Sequence, residues 1–495
     1  MTPGLLAALV IAGQAPGGDD SPGGVLLRLW RRFPSCEGTL SGAYAGDEYS
    51  FLDRVECSFG GIDLTTLIEK DRGEEWIDLA AAGADWAGTG PVHGASAGWL
   101  DCRLGSGLLL DRVGGWGGQG GFVEAKTPSV DSRIRAASSA GACDGEPLTG
   151  AGAAVSLGGL ETSVILARSW IDPSGDGLHR TPSEIGSRGS VEENLAGIRG
   201  TLGPFGAGFT TAERDGRGWS RYGLDLHLPA AGLELSGEAV LGTEGDSASA
   251  AFWAAVTESD STARFCMGVF GCPDEFPLER AGMPIGGVCD VGAGAGVRWK
   301  PARGWTVAGS ASCLYRDDSG NIRLEASADR RFSPSFEGGL AGRFSEDGAE
   351  DSWRLVADFT WEALDALRLT AGLQRTGWAD DSSSSGGSSA GVRFVWSASS
   401  WLETRAACTA FDTEGWDSRV YCNELGFPGE FASSPQWGRG FLMQVSPVVR
   451  PGTGVEARLK LSFLQREGVE SMGSDLEETA GDSRTEAGVQ IEFPL

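Results

Sequence analysis

Residues 177–190 bring together side chains that acid–base chemistry would need. His179, one of three histidines in the chain, lies close to Asp176, Ser183 and Glu184. A hydrolase needs a nucleophile beside a base that a third group orients. Ser183 has no glycine elbow of the G-x-S-x-G type, and no other group converges on it. We therefore predict no catalytic residue here and no enzymatic activity for the chain.

The same residues describe the start of a helix. Thr181 suits the N-cap, Pro182 the first helical position, and Glu184 can return a hydrogen bond to the cap. The sequence predicts one or two short helices in an insert over 171–193. In a wide barrel such an insert would fold into the lumen and narrow it, whereas the alternative is an ordinary surface loop. The candidate plug residues are His179, Arg180, Thr181, Pro182 and Glu184.

A second candidate insert covers about 105–147 and contains the run GGWGGQGGF at 114–122. Its glycines lack the strand and helix of a dinucleotide site and the Lys-Ser/Thr pair of a P-loop. We interpret the run as flexible or closely packed backbone in a second lumen insert. The candidate residues of this glycine-rich insert are Gly114, Trp116, Gly118 and Gly120.

Nothing in the sequence points to a metal or a cofactor, and we predict neither. His93 and His227 fall on separate candidate strands, and the ten cysteines include no CxxC pair. Most cysteines are best interpreted as small apolar side chains. Cys266 and Cys272 flank a predicted turn and could form a disulfide.

The charge balance argues against a nucleic-acid partner. The chain has 68 acidic and 40 basic residues, a formal net charge of −28. Nucleic-acid surfaces need clustered lysines and arginines to displace counterions. The acidic excess could give cation selectivity at a constriction, or it could only reflect solvated loops.

The first residues predict export. An apolar run from Leu5 to Ala12 followed by small residues resembles a signal peptide, which we place at residues 1–15. Residues 16–37 are then an N-terminal segment ahead of the barrel. No other stretch approaches 18 apolar residues, so we predict no helical anchor. An exported chain of this kind is either soluble outside the cytoplasm or a β-barrel.

Alternation with a period of two dominates the rest of the sequence. In WRLVADFTW (353–361), every second residue from Trp353 to Trp361 is apolar, and the residues between them are Arg354, Val356, Asp358 and Thr360. The final segment places Val489, Ile491 and Phe493 on one face in the same way. Each segment is about ten residues long, enough for a tilted strand to cross a bilayer. Residues 38–495 predict about 22 to 26 strands. We expect long polar loops at 379–391 and 467–483, and tight turns at LGPFG and LPAAG.

Two architectures share this pattern: a soluble sandwich or propeller, and a barrel that turns its apolar face to lipid. Charges in mid-strand on the polar face, the lack of a blade-length repeat and the terminal strand favour the barrel. We predict an all-β fold, a large closed antiparallel transmembrane β-barrel with short helical or loop inserts in its lumen.

Four segments resemble a family of large outer-membrane β-barrel proteins found in Bacteroidetes and related phyla. The segments are GIDLTTLIEKDRGEEW (61–76), WLDCRLGSGLLL (99–110), SGDGLHRTPSEI (174–185) and CNELGFPGEFASSPQWGRGF (422–441). Members are often named helix-hairpin-helix domain-containing proteins. About twenty residues separate the predicted leader from the strands here, so we expect this chain to lack that module. The resemblance implies an outer-membrane barrel and no particular chemistry.

Together these observations predict a protein of the Gram-negative outer membrane, with the lipid bilayer as its partner. We expect a porin-like plugged conduit, or another component of envelope transport or assembly. The first alternative is a secreted or surface-attached all-β interaction protein. The second is a hydrolase embedded in a barrel, which predicts activity that depends on His179.

Overall fold

The structure is a computed structural model, and the part of it described below comprises fifteen stretches of the chain. They are residues 24–33, 49–59, 61–70, 79–111, 132–136, 148–171, 190–230, 232–260, 262–273, 276, 289–316, 319–427, 433–452, 454–472 and 479–494.

Thirty strands lie in these stretches. The first fifteen are β1 Gly24–Phe33, β2 Tyr49–Phe59, β3 Ile62–Lys70, β4 Leu79–Ala87, β5 Val92–Leu104, β6 Leu110–Asp111, β7 Arg133–Ala136, β8 Leu148–Leu157, β9 Leu160–Ile171, β10 Val191–Leu202, β11 Phe205–Arg214, β12 Arg217–Ala230, β13 Leu233–Glu244, β14 Ser247–Ser259 and β15 Ala263–Cys272. The others are β16 Cys289–Trp299, β17 Trp305–Arg316, β18 Ser319–Ser333, β19 Phe336–Asp347, β20 Glu350–Leu364, β21 Leu367–Ala379, β22 Ser384–Ser399, β23 Leu402–Thr413, β24 Val420–Asn423, β25 Ser433–Gln436, β26 Arg439–Val449, β27 Glu456–Arg466, β28 Ser471–Met472, β29 Thr479–Ala480 and β30 Ser483–Pro494.

The strands form a closed antiparallel barrel. Of the 26 strands in the main sheet, β6 and β7 pair only with β5, and the other 24 form a ring. The ring closes where β1 pairs with β30, from Gly24 opposite Pro494 to Phe33 opposite Thr485. Closure leaves no unpaired edge, which a strand in hydrocarbon could not tolerate. The predicted fold class and strand number are confirmed.

The barrel begins one strand earlier than predicted. β1 lies within residues 16–37, which the sequence analysis placed ahead of the barrel, and it pairs on both sides. Its apolar residues at 25–27 follow one another without alternation, so the period-two pattern does not mark it as a half-buried strand. Pairing with β30 and β2 sets this strand instead.

Alternation along the strands separates two faces of the wall. On β20 the side chains of Trp353, Leu355, Phe359 and Trp361 are 37%, 50%, 43% and 51% exposed. The residues between them point to the face that the chain's inserts contact, which is therefore the lumen. On β30, Val489 and Phe493 are also exposed, as the predicted register requires. The apolar face of the wall is thus its outer face.

Long and short connections lie at opposite ends of the barrel. Strand direction puts the ring-strand ends that the longest connections join at one end of the barrel; these connections are 34–48, 71–78, 105–147, 172–190, 273–288, 414–438 and 467–482. At the other end β10 meets β11 after two residues, and so does β12 with β13, which confirms tight turns in LGPFG and LPAAG. We call these the loop end and the turn end.

The prediction of a long polar loop at 379–391 is wrong. The connection covers only residues 380–383, because β22 begins at Ser384 and pairs with β21 along its length. Serine and glycine favour loops, but pairing with a fixed neighbour overrides that preference. Cys266 and Cys272 also do not flank a turn: both lie on β15, and both are free thiols.

In the described part of the chain, no helix has the length and apolar character needed to span a membrane.

Candidate transport lumen

Both sets of candidate insert residues lie outside the described residues. This applies to the plug candidates His179, Arg180, Thr181, Pro182 and Glu184 and to the glycine-rich candidates Gly114, Trp116, Gly118 and Gly120. The other two histidines lie on the wall far apart in the ring, His93 on β5 and His227 on β12. No three His, Cys, Asp or Glu side chains among the described residues are grouped so that they could hold a metal ion.

The lumen is closed on one side by residues 99–111, a segment that we call the inner strap. β5 pairs with β4 and β8 in the wall, and then continues inward to pair with β6 and β7. The change of course lies at Gly98, whose φ of +98° favours glycine. A Cβ at this position would lie 2.2 Å from the Ala82 carbonyl oxygen, so only glycine allows β4 this close.

The inner strap makes an apolar core inside the barrel. Leu104, Leu108, Leu109 and Leu110 are at most 1% exposed and pack against the inward side chains of β8 to β15. The wall contributes Leu148, Ile165, Ala167, Leu195, Ala212, Trp219, Val240, Ala251, Trp253, Ala255, Cys266, Phe270 and Cys272. A barrel interior filled by side chains is a sealed one. We call this side of the lumen the sealed half.

Hydrogen bonds fix the turn of the inner strap to β13 and β14. The Ser106 amide donates to Glu238 Oε2 at 3.1 Å, and the Ser106 hydroxyl donates to the same oxygen. Trp253 Nε1 donates to that hydroxyl at 2.7 Å. Gly105, with φ of +70°, brings the backbone so close that a Cβ would lie 2.5 Å from Glu238 Oε1. One oxygen of the buried Glu238 carboxylate thus accepts two hydrogen bonds from the strap, in keeping with the pairing that buried polar groups show.

Buried ion pairs hold the rest of the sealed half. Arg199 on β10 and Asp225 on β12 form two hydrogen bonds of 2.7 and 2.8 Å, and both side chains are 4% exposed. Arg199 also donates to Ser132 Oγ at 3.1 Å, just ahead of β7. On β7, Arg133 and Arg135 contact the buried Asp101 at 3.1 and 2.9 Å. Bidentate pairs of this kind fix geometry as well as charge.

A second insert lies between β23 and β26, and its described parts, residues 414–427 and 433–438, fold back onto the inner face of β20 to β27. We call it the lumen hairpin, since its two strands β24 and β25 pair only with each other. The Ser418 carbonyl accepts from Thr376 Oγ1 at 2.6 Å, and Gln444 Oε1 accepts from the Leu425 amide at 2.8 Å. A small apolar cluster joins the hairpin to the residues it covers: Val420 and Cys422 of β24 pack with Phe411, Leu442, Leu464 and Met472.

The hairpin also holds a strongly perturbed thiol. Burial, helped by the nearby Glu424 carboxylate and opposed by Arg466, raises the pKa of Cys422 to about 12. Arg466 on β27 donates to Gln436 Oε1 at 2.9 Å, and its guanidinium lies 3.6 Å from the centre of the Trp437 ring. Stacking of this kind and a charged hydrogen bond anchor the second arm of the hairpin to the wall.

Among the described residues, no hydrogen bond or ion pair joins either insert to the inner face of β18 or β19, which adjoins the turn-end part of β20. Arg343 and Arg323 both approach Glu325, at 3.6 and 3.9 Å, and Asp329 and Asp358 are exposed on the same face. A cavity of about 700 Å³ lies at the turn end beside these two aspartates. We call the side from β16 to β27 the open half, because charged and half-exposed groups line it.

Sequence reasoning found the polar face of the strands but missed which polar residues are buried. Glu238 and Asp225 lie in the sealed half, and Arg354 and Arg393 lie in the open half, yet all four share the same alternating pattern. The signal present in the sequence is a charge in mid-strand flanked by small residues. It marks the lumen face without showing what covers that face.

Comparisons with known proteins give distant likenesses. No family model matches the sequence, and no curated protein matches it. Among solved structures, the siderophore receptor PirA from Pseudomonas aeruginosa is similar over 96% of this chain and 81% of that one, at 8% identity and a TM-score of 0.44. The FrpB iron transporter from Neisseria meningitidis is similar over 96% of this chain and 83% of that one, at 8% identity and a TM-score of 0.45. The translocation pore of the P pilus usher PapC is similar over 96% of this chain and 98% of that one, at 10% identity and a TM-score of 0.42. Likenesses this distant carry no inference about function, which rests below on the chain's own residues.

Proposed function

We propose that this protein is an outer-membrane β-barrel that acts as a plugged conduit for a solute. The observation that carries the proposal is the inverted distribution of polarity. The outer face of a closed ring presents exposed leucine, valine and aromatic side chains, while buried and half-buried charges line its interior. A soluble barrel would expose its charges and bury the apolar face, so this arrangement fits a wall surrounded by lipid.

Aromatic side chains on the outer face support a membrane position. A row of them follows the turn end from β16 to β23: Trp299, Trp305, Phe332, Phe336, Trp361, Trp396 and Trp401. Toward the loop end the row has counterparts in Trp170, Tyr315 and Trp353. Trp353 and Trp361 are eight residues apart on β20, which is about 26 Å at 3.3 Å per residue. Aromatic rings concentrate at both interfaces of a bilayer, and on a strand tilted by about 40° this spacing corresponds to about 20 Å of height, within the apolar band of about 25 Å that barrels present to lipid.

The inserts support a conduit that is partly plugged. The inner strap seals one half of the lumen with apolar side chains, and the lumen hairpin covers part of the other half. The wall between them is charged and half-exposed, which suits the passage of a polar solute. The family resemblance of the sequence stays a prediction, and so does the role of residues 171–193 as a further plug.

Membrane insertion is tested by extraction and gel migration. We expect the protein to leave envelope membranes only in detergent, and to migrate faster on a gel when it has not been heated. Release by high salt without detergent would contradict the proposal and would favour the secreted interaction protein.

Conduction is tested in planar bilayers with a shortened lumen hairpin. Asp412 and Arg439 are paired neighbours on β23 and β26, so a two-glycine turn can replace residues 414–438 without breaking the ring. We expect larger single-channel conductance for this variant than for the full chain. The matched control replaces residues 380–383, a loop-end turn outside the lumen, and should leave conductance unchanged. Equal conductance in all three proteins would contradict the plugged conduit.

A further inference from the structure

A small cavity separates the lumen hairpin from the wall of the open half. Its floor is the inner face of β20 to β23, where Gly372 and Gly391 leave room, and its roof is formed by Tyr421 and Asn423 of the hairpin. The cavity measures about 130 Å³. A water molecule takes about 30 Å³ of liquid volume, so the space suits a group of a few heavy atoms.

Two arginines from neighbouring parts of the floor line this cavity. Arg354 on β20 donates to the side-chain oxygen of Gln374 at 3.1 Å, and Arg393 on β22 donates to the Asn423 carbonyl at 3.3 Å. Both acceptors are neutral. Within the described residues, neither guanidinium forms an ion pair with a carboxylate closer than 4 Å. One carboxylate, Asp358, also lines the cavity, so the two arginines leave its charge positive.

Other arginines on the same wall behave differently. The guanidinium of Arg405 lies 2.7 Å from Glu403, that of Arg484 lies 3.2 Å from Glu486, and Arg458 forms a close pair with Glu456. Lumen arginines are thus usually neutralised by a carboxylate two residues away on their own strand. The positions two residues from Arg354 are Ser352 and Val356, and those from Arg393 are Gly391 and Val395. These two cations therefore lack the neighbour that the wall supplies elsewhere.

Two donors beside the cavity also lack an acceptor. Gln374 is 7% exposed, and its Nε2 has no hydrogen-bond partner among the described residues. Arg354 Nε, on the adjacent strand, is also buried without a hydrogen-bond partner among the described residues. Buried donors are nearly always paired, because leaving one unpaired forfeits the hydrogen bonds it would make in water. An acceptor with negative charge placed here would complete both groups.

We propose that this cavity binds an oxyanion group, a carboxylate or a phosphate, of the solute that passes through the lumen. Arg354 and Arg393 supply the charge, and Gln374 supplies a neutral donor that selects for an acceptor. Arginine presents its donors in a planar fork that matches either oxyanion. This inference rests on the proposed conduit and deepens it, since it gives the solute a chemical class despite the overall net charge of −28.

The test is titration of the purified full chain in detergent with succinate and, separately, with inorganic phosphate. Heat per injection gives the dissociation constant, and the two probes separate carboxylate from phosphate recognition. We expect one of the probes to bind, and Arg354→Gln and Arg393→Gln each to weaken its binding at least about tenfold, the effect of losing one charged hydrogen bond. Arg484→Gln, which removes a paired arginine of the same lumen, should stay within about twofold of the unchanged protein.

Gln374→Glu guards against a variant that fails to fold. It keeps the size of the side chain but places a second negative charge at the cavity, so binding of either probe should fall at least about tenfold while heat-modifiable migration is retained. Absence of binding of both probes to the unchanged chain would overturn the inference, as would equal weakening by Arg484→Gln. Titration measures binding without any ion current, so binding and conduction are tested independently. A chain that binds a probe but never conducts therefore overturns the conduit alone, and one that conducts without binding overturns this site alone.

Discussion

The sealed half and the open half of the lumen are built from strands with the same alternating pattern, yet their inner faces have opposite characters. In the sealed half, which the leucines of the inner strap fill, Arg199 and Asp225 are 4% exposed and paired with each other. In the open half, Glu325 and Asp358 keep contact with solvent. The difference comes from what covers the wall: a strap fully packed with apolar side chains, or a hairpin with polar contacts. An inward charge is structural where the apolar strap packs over it, and it is available to a solute where its cover is polar or absent.

Removing one partner of a covered ion pair gives the largest expected effect. Asp225→Ala leaves Arg199 charged, buried and unpaired, so we expect a loss of about 3–5 kcal/mol in the free energy of unfolding. Glu325→Ala, the matched change in the open half, should cost less than about 1 kcal/mol because water solvates the remaining arginines. Urea unfolding in micelles, followed by tryptophan fluorescence, measures both. Equal losses would show that the two halves do not differ in this way.

A cavity made in the strap should come next. Leu109 is 1% exposed, and Leu109→Ala removes its contacts with the sealed wall, for a loss of about 2–5 kcal/mol. Val356→Ala, on the half-exposed inner face of β20, should cost less than about 1 kcal/mol. The same urea titration applies. A strap variant as stable as the Val356 variant would mean that the apolar core does not hold the sealed half.

Thiol labelling sharpens the comparison without changing the lumen. Because the pKa of Cys422 is about 12, almost none of it is thiolate at pH 8, and maleimide should react roughly a thousandfold more slowly than with the unfolded chain. The rate should rise as the pH approaches 12. Mass spectrometry of peptides from the labelled, otherwise unchanged chain measures it. If the hairpin moves during conduction, Cys422 should become labelled while Cys102 in the inner strap stays protected, and labelling of both alike would contradict the distinction.

The smallest effect concerns two turns that should behave alike. Asp260 follows β14 in the sealed half and Asp380 follows β21 in the open half, and each carboxylate accepts two backbone N–H bonds across its turn. These bonds hold the pKa of both carboxyls below the usual value. Their stabilisation is therefore present above the unfolded pKa, near 4, and is lost as the pH falls through the folded pKa. Carboxyl carbon NMR titration should show both shifts, and Asp260→Asn and Asp380→Asn should each reduce the acid sensitivity of unfolding. If the pKa of either aspartate were normal, the sealed and open halves would also differ in the turns that lie outside the lumen.

The sequence predicted the wall well because its signal is local. Alternation in segments such as residues 353–361 is enough to assign a strand and its apolar face, and strand length is enough to suggest a membrane span. β22 shows where this fails: its run of serines and glycines has no alternation, and only pairing with β21 makes it a strand. The same limit hid β1, whose neighbours are 15 residues or more away in the chain.

The lumen was predicted only in part because its contacts join distant residues. The turn at Gly105 and Ser106 meets Glu238 across more than 130 positions, and Arg354 meets the lumen hairpin at Tyr421. Alternation shows that such charges face inward but cannot show what covers them. The glycine-rich run and the His179 segment were chosen for their unusual composition, and they remain predictions. The inner strap, with an ordinary leucine-rich sequence, had no such mark.

The strap and the wall are one polypeptide strand, and this has a mechanical consequence. β5 runs from Val92 to Leu104 without a break, so the element that seals the lumen is tethered to the wall through its own backbone. A force that pulls the strap outward acts on the last hydrogen bonds between β5 and β8, and it would break these bonds one after another along the two strands. A globular plug could leave a barrel whole, but this one cannot move far without tearing the seam that holds it. Opening by displacement is therefore left to the lumen hairpin, whose two strands are not part of the ring.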